Sequence, residues 1–374
     1  MTNLSEIQVS KSALKHNINQ YRKIIGKARV CGVVKSNAYG HGFEIVAKTI
    51  IPFVDWFGVA NLDEAIILRD CGVKKPILVL SYYRLDQTDQ AVKNNISLVV
   101  YDLNQVKAIF ASAKKLKKPA NVHIKIDTGT SRLGVAPKEA LKFIKQASRL
   151  PNIKIQGLFS HFAASEENNE FTQTQLERFN QLISVLENNN IQIPIKHFAC
   201  SAASLTTPKS NFDLVRLGIG MYGLWPSKKV AKETKKAYNI HLVPVLSFKA
   251  KIVQIKPVSA GSQIGYGCTY KTPKNAKIAV LPVGYYEGYS RGLSNKAEVL
   301  IHGKRCPIRG RICMNLFMVE VTNLSRVKVG DEAVLIGKQG QEEITADELA
   351  ELTHTINYEV VTRINSVIPR VLVK

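Results

Sequence analysis

Up to about residue 220, short β-branched runs alternate with longer amphipathic stretches. The runs are RVCGVVK (29–35), WFGVA (56–60), PILVLS (76–81), SLVVY (97–101), NVHIKID (121–127), KIQGLFS (154–160), PIKHFA (194–199) and LVRLGIG (214–220). Between them FEIVAKTI, LDEAIILRDC, LNQVKAIFASAKKL, PKEALKFIKQASRL and FTQTQLERFNQLISVLENN carry apolar residues at three- and four-residue spacing, the period of a helix face. Eight strands alternating with helices over ~250 residues is the arithmetic of a (β/α)8 TIM barrel in the α/β class. Alternation alone also admits a doubly wound sheet. No G-x-G-x-x-G follows the first strand, which weighs against the dinucleotide-binding version of that sheet.

The pattern then changes. VLSFKAKIVQIKPV, SQIGYGCTY, KIAVLPVGYY, AEVLIHGKRCPIRG, LFMVEVTN and DEAVLIG are strand-like runs broken by Gly, Pro, Asn and Asp, with one helical pattern near TADELAELTH. They predict a separate, mostly β domain. The boundary falls inside 225–242, giving a barrel over 1–240 and a β-rich domain over 241–374.

Composition narrows the class. The 374 residues are 45% hydrophobic and 22% charged, which excludes collagen-like, disordered and disulfide-scaffold chains. No run of ~18 apolar residues offers a membrane span, and MTNLSEIQVSKSALKHN lacks the layout of a signal peptide, so the expectation is a cytoplasmic protein with no membrane partner. Cys31, Cys71, Cys200, Cys268, Cys306 and Cys313 form no C-x-x-C and no His-paired spacing, so neither disulfide nor metal is assigned. The net charge of +23 raises the idea of a nucleic-acid partner. It is spread over both domains, with 34 Lys and Arg against 18 Asp and Glu up to residue 240 and 18 against 11 beyond. The densest run, WPSKKVAKETKKAYN, reads as a solvated loop or helix face.

In a (β/α)8 barrel the chemistry sits at the carboxyl ends of the strands. There the first strand ends in Lys35, followed by Tyr39, Gly40, His41 and Gly42; the fifth ends in Lys125 and Asp127 and leads to Arg132; the sixth ends in Ser160 and His161. The seventh runs from His197 to Ser201, and the eighth carries Arg216 just before Gly218, Ile219 and Gly220. A desolvated lysine can be a neutral nucleophile or base; a lone lysine is otherwise a surface cation. Arg216 with its glycines suits an anion, since loops after the last two strands often hold phosphate, or is a tight turn with a surface arginine.

VVKSNAYGHG, KIDTGTSRLG, SHFAAS, RLGIGMYGL, GYGCTY, GRICMN and INYEV, in this order and spacing, resemble the pyridoxal-phosphate-dependent alanine racemases. The resemblance runs over nearly the whole chain and implies a (β/α)8 barrel, a β domain, a homodimer with shared active sites, and interconversion of L- and D-alanine, either to supply peptidoglycan precursors or to feed D-alanine breakdown. It implies that Lys35 holds pyridoxal 5'-phosphate covalently and acts as one base, and that Tyr266, from the partner subunit, is the second. Racemisation needs two such bases on opposite faces of a planar carbon. Arg216 matches the residue facing the pyridine nitrogen, His197 its support, and His161 the residue orienting the tyrosine. Tyr39, Ser201, Gly218, Ile219 and Tyr358 match phosphate positions, Arg132 and Met314 substrate-carboxylate positions, Lys125 a position carrying a carbamate in some members, and Tyr285 an entrance tyrosine.

The chain departs from the family where G-Y-A-D-G becomes Gly284-Tyr285-Tyr286-Glu287-Gly288 and C-M-D-Q becomes Cys313-Met314-Asn315-Leu316. Cys268 stands in place of a frequent arginine and Cys200 in place of a usual asparagine. A racemase of serine or a larger amino acid on the same scaffold is the nearest alternative. A related decarboxylase would set an acid where Arg216 stands, and single-domain pyridoxal-phosphate-binding proteins lack a counterpart of Tyr266. A nucleic-acid-binding protein would need an aromatic-laced basic face, and none is apparent.

Overall fold

The structure, a computed structural model, describes residues 3–374. Two compact units interleave in sequence: one comprises Ala13–Ser36 and Ala47–Val243, the other the residues up to Ser12, Asn37–Val46 and Pro244–Lys374.

An initial strand, β1 (Ser5–Ser10), precedes the eight strands of the first unit: β2 (Arg29–Val33), β3 (Trp56–Val59), β4 (Ile77–Val79), β5 (Ser97–Val100), β6 (Ala120–Lys125), β7 (Ile153–Phe159), β8 (Ile195–His197) and β9 (Leu214–Leu217). They are ordered β8-β7-β6-β5-β4-β3-β2-β9, and every pair is parallel. The ring closes past β8, where Cys200 bridges to Arg216 and the Arg216 N–H donates to the Ala199 carbonyl at 3.1 Å. The predicted (β/α)8 barrel is therefore the fold. Covered on both faces, β3, β4 and β5 are buried at every position, which is why they read as unbroken apolar runs.

Local chemistry sets the helix limits. Leu103–Leu116 starts where the Asp102 carboxylate accepts the N–H of Asn104 at 2.6 Å and stops at Lys117 in the left-handed region. Its Val106, Ile109 and Ala113 are buried at the predicted spacing. The lysine-rich run is also a helix, Lys228–Tyr238, capped by Ser227, and only Val230 and Thr234 of it are buried. Its lysines lie on the solvated face, where their charge needs no partner.

The second unit continues with β10 (Leu246–Lys251), β11 (Gln254–Val258), β12 (Ala276–Leu281), β13 (Glu298–Ile301), β14 (Lys304–Pro307), β15 (Phe317–Glu320), β16 (Glu332–Gln339), β17 (Glu342–Ile344) and β18 (Arg370–Val373). One sheet runs β14-β13-β16-β10-β1-β18, with β17 on β16; a smaller one is β11-β12-β15. In β10, Leu246, Phe248 and Ala250 point inward and alternate with half-exposed neighbours, the period of a one-sided strand. SQIGYGCTY, read from sequence as a strand, is instead a loop with a short turn at Tyr266–Cys268. Gly265 and Gly267 both lie at φ +72°, which breaks an extended run. No helix among the described residues is long and apolar enough to cross a membrane.

Candidate active site

The first unit gathers its predicted residues at the carboxyl ends of the barrel strands. Lys35 follows β2 and opens a single helical turn, Lys35–Tyr39, in which Ser36, Asn37, Ala38 and Tyr39 all have φ between +52° and +56°. Four consecutive residues of this hand cost about 1–2 kcal/mol each. Local bonds hold them: the Ser36 N–H donates to Glu64 Oε1 at 2.7 Å, and Asn37 Oδ1 accepts the Phe43 N–H at 2.8 Å. The amine of Lys35 is pushed below the usual lysine pKa, first by burial and then by the positive charge of Arg132, so neutral amine is more accessible than in water.

Arg216 in β9 organises the rim. Its guanidinium is 5% exposed and lies 5.3 Å from the Phe159 ring. NH1 donates to His197 Nδ1 at 2.8 Å and to the His197 carbonyl at 3.2 Å; NH2 donates to the carbonyls of Ser160 at 2.8 Å and Phe198 at 2.9 Å and meets His161 Nδ1 at 3.3 Å. Four of its five N–H groups are thus engaged, and Nε–H makes no hydrogen bond among the described residues. Burial lowers its pKa to about 10, so it remains a cation near neutrality.

A guanidinium only donates, and this fixes the tautomers around it. His197 accepts at Nδ1, so its Nε2–H donates to His123 Nδ1 at 2.9 Å, and His123 Nε2–H points to Gln156 Oε1 at 3.4 Å. Gln156 Oε1 also accepts from Ser97 Oγ at 2.9 Å, which ends the chain. Burial, reinforced by Arg216, holds His197 well below the ordinary imidazole range and His123 at about 3, so both rings are neutral. His161 is likewise depressed by burial and then by Arg216, Arg132, Lys125 and Lys35. Accepting at Nδ1, it carries its proton on Nε2.

Lys125, at the end of β6, is 5% exposed and lies 5.6 Å from the Phe159 ring, its pKa lowered to about 8 by burial, Arg132 and Arg216. Next to it Asp127 accepts the N–H groups of Gly129, Thr130, Ser131 and Arg132 at 2.8–3.1 Å. That loop carries the exposed Arg132. After β8, buried Ser201 Oγ accepts the N–H of Gly218 at 2.9 Å and of Gly220 at 3.3 Å. With the adjoining Ile219, this is a set of backbone donors suited to an anion.

The second unit holds two further groups. Tyr39 and Tyr358 place their rings 6.4 Å apart. Gly40 permits this at φ +82°, because a Cβ there would lie 1.9 Å from the Val361 carbonyl oxygen, and Arg370 clamps the Gly40 carbonyl at 2.9 Å. Separately, Tyr266, Tyr285 and Met314 line one open groove of about 500 Å³ with Arg291, Arg311 and Leu316. Tyr266 is 73% exposed. Two of the sequence departures meet beside this groove: Glu287 Oε1 accepts from Asn315 Nδ2 at 2.8 Å, and Glu287 Oε2 accepts the Gly284 N–H at 2.8 Å.

Sequence reading missed His123 and placed Asp127 at its strand end without assigning it a role. His123 was within reach of the strand alternation, since residues 123 and 125 of β6 share a face; Asp127 signals itself only through its loop.

A family model described as alanine racemase, N-terminal domain, matches residues 9–226, and one described as alanine racemase, C-terminal domain, matches 245–372. Over 368 residues the chain is 42% identical to a protein named alanine racemase from Methanococcus maripaludis, with 97% of each covered. A solved structure titled alanine racemase, from Clostridium difficile 630, superposes with a TM-score of 0.93 at 36% identity, covering 100% of this chain and 96% of that one. A structure titled histidine racemase, from Leuconostoc mesenteroides, superposes with a TM-score of 0.91 at 29% identity, covering 100% and 98%.

Proposed function

The chain belongs to the alanine racemase family, a family of isomerases, and from that premise we propose that it interconverts L- and D-alanine with pyridoxal 5'-phosphate as cofactor, by a two-base mechanism. The observation that carries the cofactor reading is the spent guanidinium of Arg216. With NH1 and NH2 engaged by protein acceptors, Nε–H matches an acceptor-only partner such as an unprotonated pyridine nitrogen.

When bound, the cofactor supplies the electron sink for the Cα–H bond. Lys35 would hold it covalently; Ser201, Gly218 and Ile219 would bind its phosphate, and the resemblance assigns Tyr39 and Tyr358 to the same group. Lys35, once freed, takes or returns a proton on one face of Cα, a role its lowered pKa suits. Tyr266 serves the other face from a second copy of the chain, with His161 Nε2–H to orient its phenolic oxygen. A homodimer also accounts for the large apolar side chains left exposed around the groove, Tyr266, Tyr285, Tyr286, Met314 and Leu316. Arg132 and the Met314 N–H would bind the substrate carboxylate, and Tyr285 would line the entrance.

The test begins with the purified protein and pyridoxal phosphate. Borohydride should fix the cofactor on Lys35, and L-alanine should racemise; a protein that takes up no cofactor would sink the proposal. Tyr266→Phe should slow racemisation about a hundredfold or more in both directions while cofactor uptake persists, from the usual worth of a positioned base. Unchanged rates would remove Tyr266 from the mechanism. The histidine racemase neighbour makes another substrate the second reading, decided by kcat/KM across an amino-acid panel.

A further inference from the structure

We propose that Tyr21 is a positioning residue for the anion loop, the buried donor that takes up Ser201 Oγ when a phosphate group claims the backbone N–H groups of Gly218 and Gly220. The inference rests on the reading of that loop as the phosphate site.

Tyr21 lies on the inner face of helix Lys11–Arg22 with Asn17 and Ile18 and is wholly buried. Among the described residues its hydroxyl makes no well-formed hydrogen bond, although the Ser201 side chain lies near enough to interact with it. Buried hydroxyls are nearly always satisfied, so an unsatisfied one marks a place where a partner arrives or rearranges. The polar side chain it faces is Ser201, and burial raises the phenol far above its ordinary pKa, so it is a neutral donor at every working pH.

The chain makes room for this hydroxyl at one position. A Cβ on Gly220 would stand 2.0 Å from Tyr21 Oη and 2.5 Å from Cζ. Gly220 has no positive φ, so its bare backbone serves the close approach and not an unusual turn. Tyr21 and Gly220 are thus one device, a phenol tip seated beneath the loop.

Ser201 Oγ now accepts from Gly218 N–H and Gly220 N–H, which uses both of its lone pairs. A phosphate oxygen only accepts. It would draw those N–H groups to itself and take the Ser201 O–H as well, leaving Ser201 Oγ with vacant lone pairs in a buried site. Tyr21 O–H supplies the missing donor. Without it the loop must keep part of its N–H capacity turned inward, and the anion binds more weakly.

The experiment titrates cofactor-stripped protein with pyridoxal phosphate and, in parallel, with pyridoxal, which lacks the phosphate, following absorbance. Tyr21→Phe is expected to raise the Kd for pyridoxal phosphate about five- to twentyfold, the range for one lost buried hydrogen bond, and to leave that for pyridoxal unchanged. Tyr21→Leu combined with Gly220→Ala refills the space without the hydroxyl and should bind as weakly as Tyr21→Phe; wild-type affinity in either variant overturns the role of Tyr21. Ser201→Ala separates the two levels. If it weakens pyridoxal phosphate while Tyr21→Phe does not, only Tyr21 falls; if neither variant weakens it, the loop is not the phosphate site. Equal weakening of both ligands by Tyr21→Phe would mark a general packing defect and also overturn the proposal.

Discussion

Replacing Lys125 by methionine should stabilise the cofactor-stripped protein at neutral pH. Lys125 is 5% exposed, its ammonium makes no hydrogen bond among the described residues and faces Arg132, Arg216 and Lys35 against the single opposing charge of Asp127, and its pKa falls to about 8 from an ordinary 10.5, chiefly through burial. Between those two values the unfolded chain holds a proton that the folded chain has lost, so this group makes stability rise with pH across the window and withholds stability below it. At 1.36 kcal/mol per pKa unit, the penalty at pH 7 is about 3 kcal/mol. Methionine keeps the length and discards the charge. Lys125→Met should therefore raise Tm at pH 7 by about 4 °C, and the gap should close as the pH approaches 10.5. Calorimetry from pH 7 to 10.5 in carbon-dioxide-free buffer measures both. Bicarbonate adds a second arm: a neutral Lys125 amine adds CO2, loses one proton and becomes an anion among Arg132, Arg216 and Lys35. Wild type should then gain stability and the methionine variant should not. A variant no more stable at pH 7, or a gap that ignores pH, would refute the reasoning.

Two further outcomes follow from the buried chain around Arg216. Gly157→Ala would put a Cβ 2.1 Å from His123 Nδ1, displacing the ring from His197; overpacking and a lost buried bond should lower stability by about 2–4 kcal/mol, and an unaltered melting curve would count against the packing described. Arg216→Lys keeps the charge but loses the planar fork, stranding acceptors on Ser160, Phe198 and His197. It should lower Tm by several degrees and racemisation by at least about tenfold, and wild-type values in both assays would show that charge alone suffices.

Much of the barrel was legible because each β/α unit carries its own signal: the helix over 103–116 follows from one cap and one apolar stripe, and the rim residues follow from strand ends. What escaped were features that depend on distant partners. Ser5–Ser10 is too short and mixed to declare itself, and becomes a strand only between Leu246–Lys251 and Arg370–Val373. The left-handed turn at Ser36–Tyr39 has no propensity signature, since none of its residues is glycine. The fit of Tyr21 to Gly220 joins positions far apart in sequence, and neither residue is unusual alone.

The placement of β1 between β10 and β18 also governs how the chain can be made. Residues 5–10 leave the ribosome well ahead of their antiparallel partner, which follows roughly 240 residues later, a wait of about 12–50 s at about 5–20 residues per second. Their parallel partner, Arg370–Val373, follows roughly 360 residues after them, a wait of about 18–72 s at the same rate. By then β9 has emerged and all eight barrel strands are free to pair. A segment made early is thus among the last to find its place, and the order of that sheet is settled only after the barrel strands have been made.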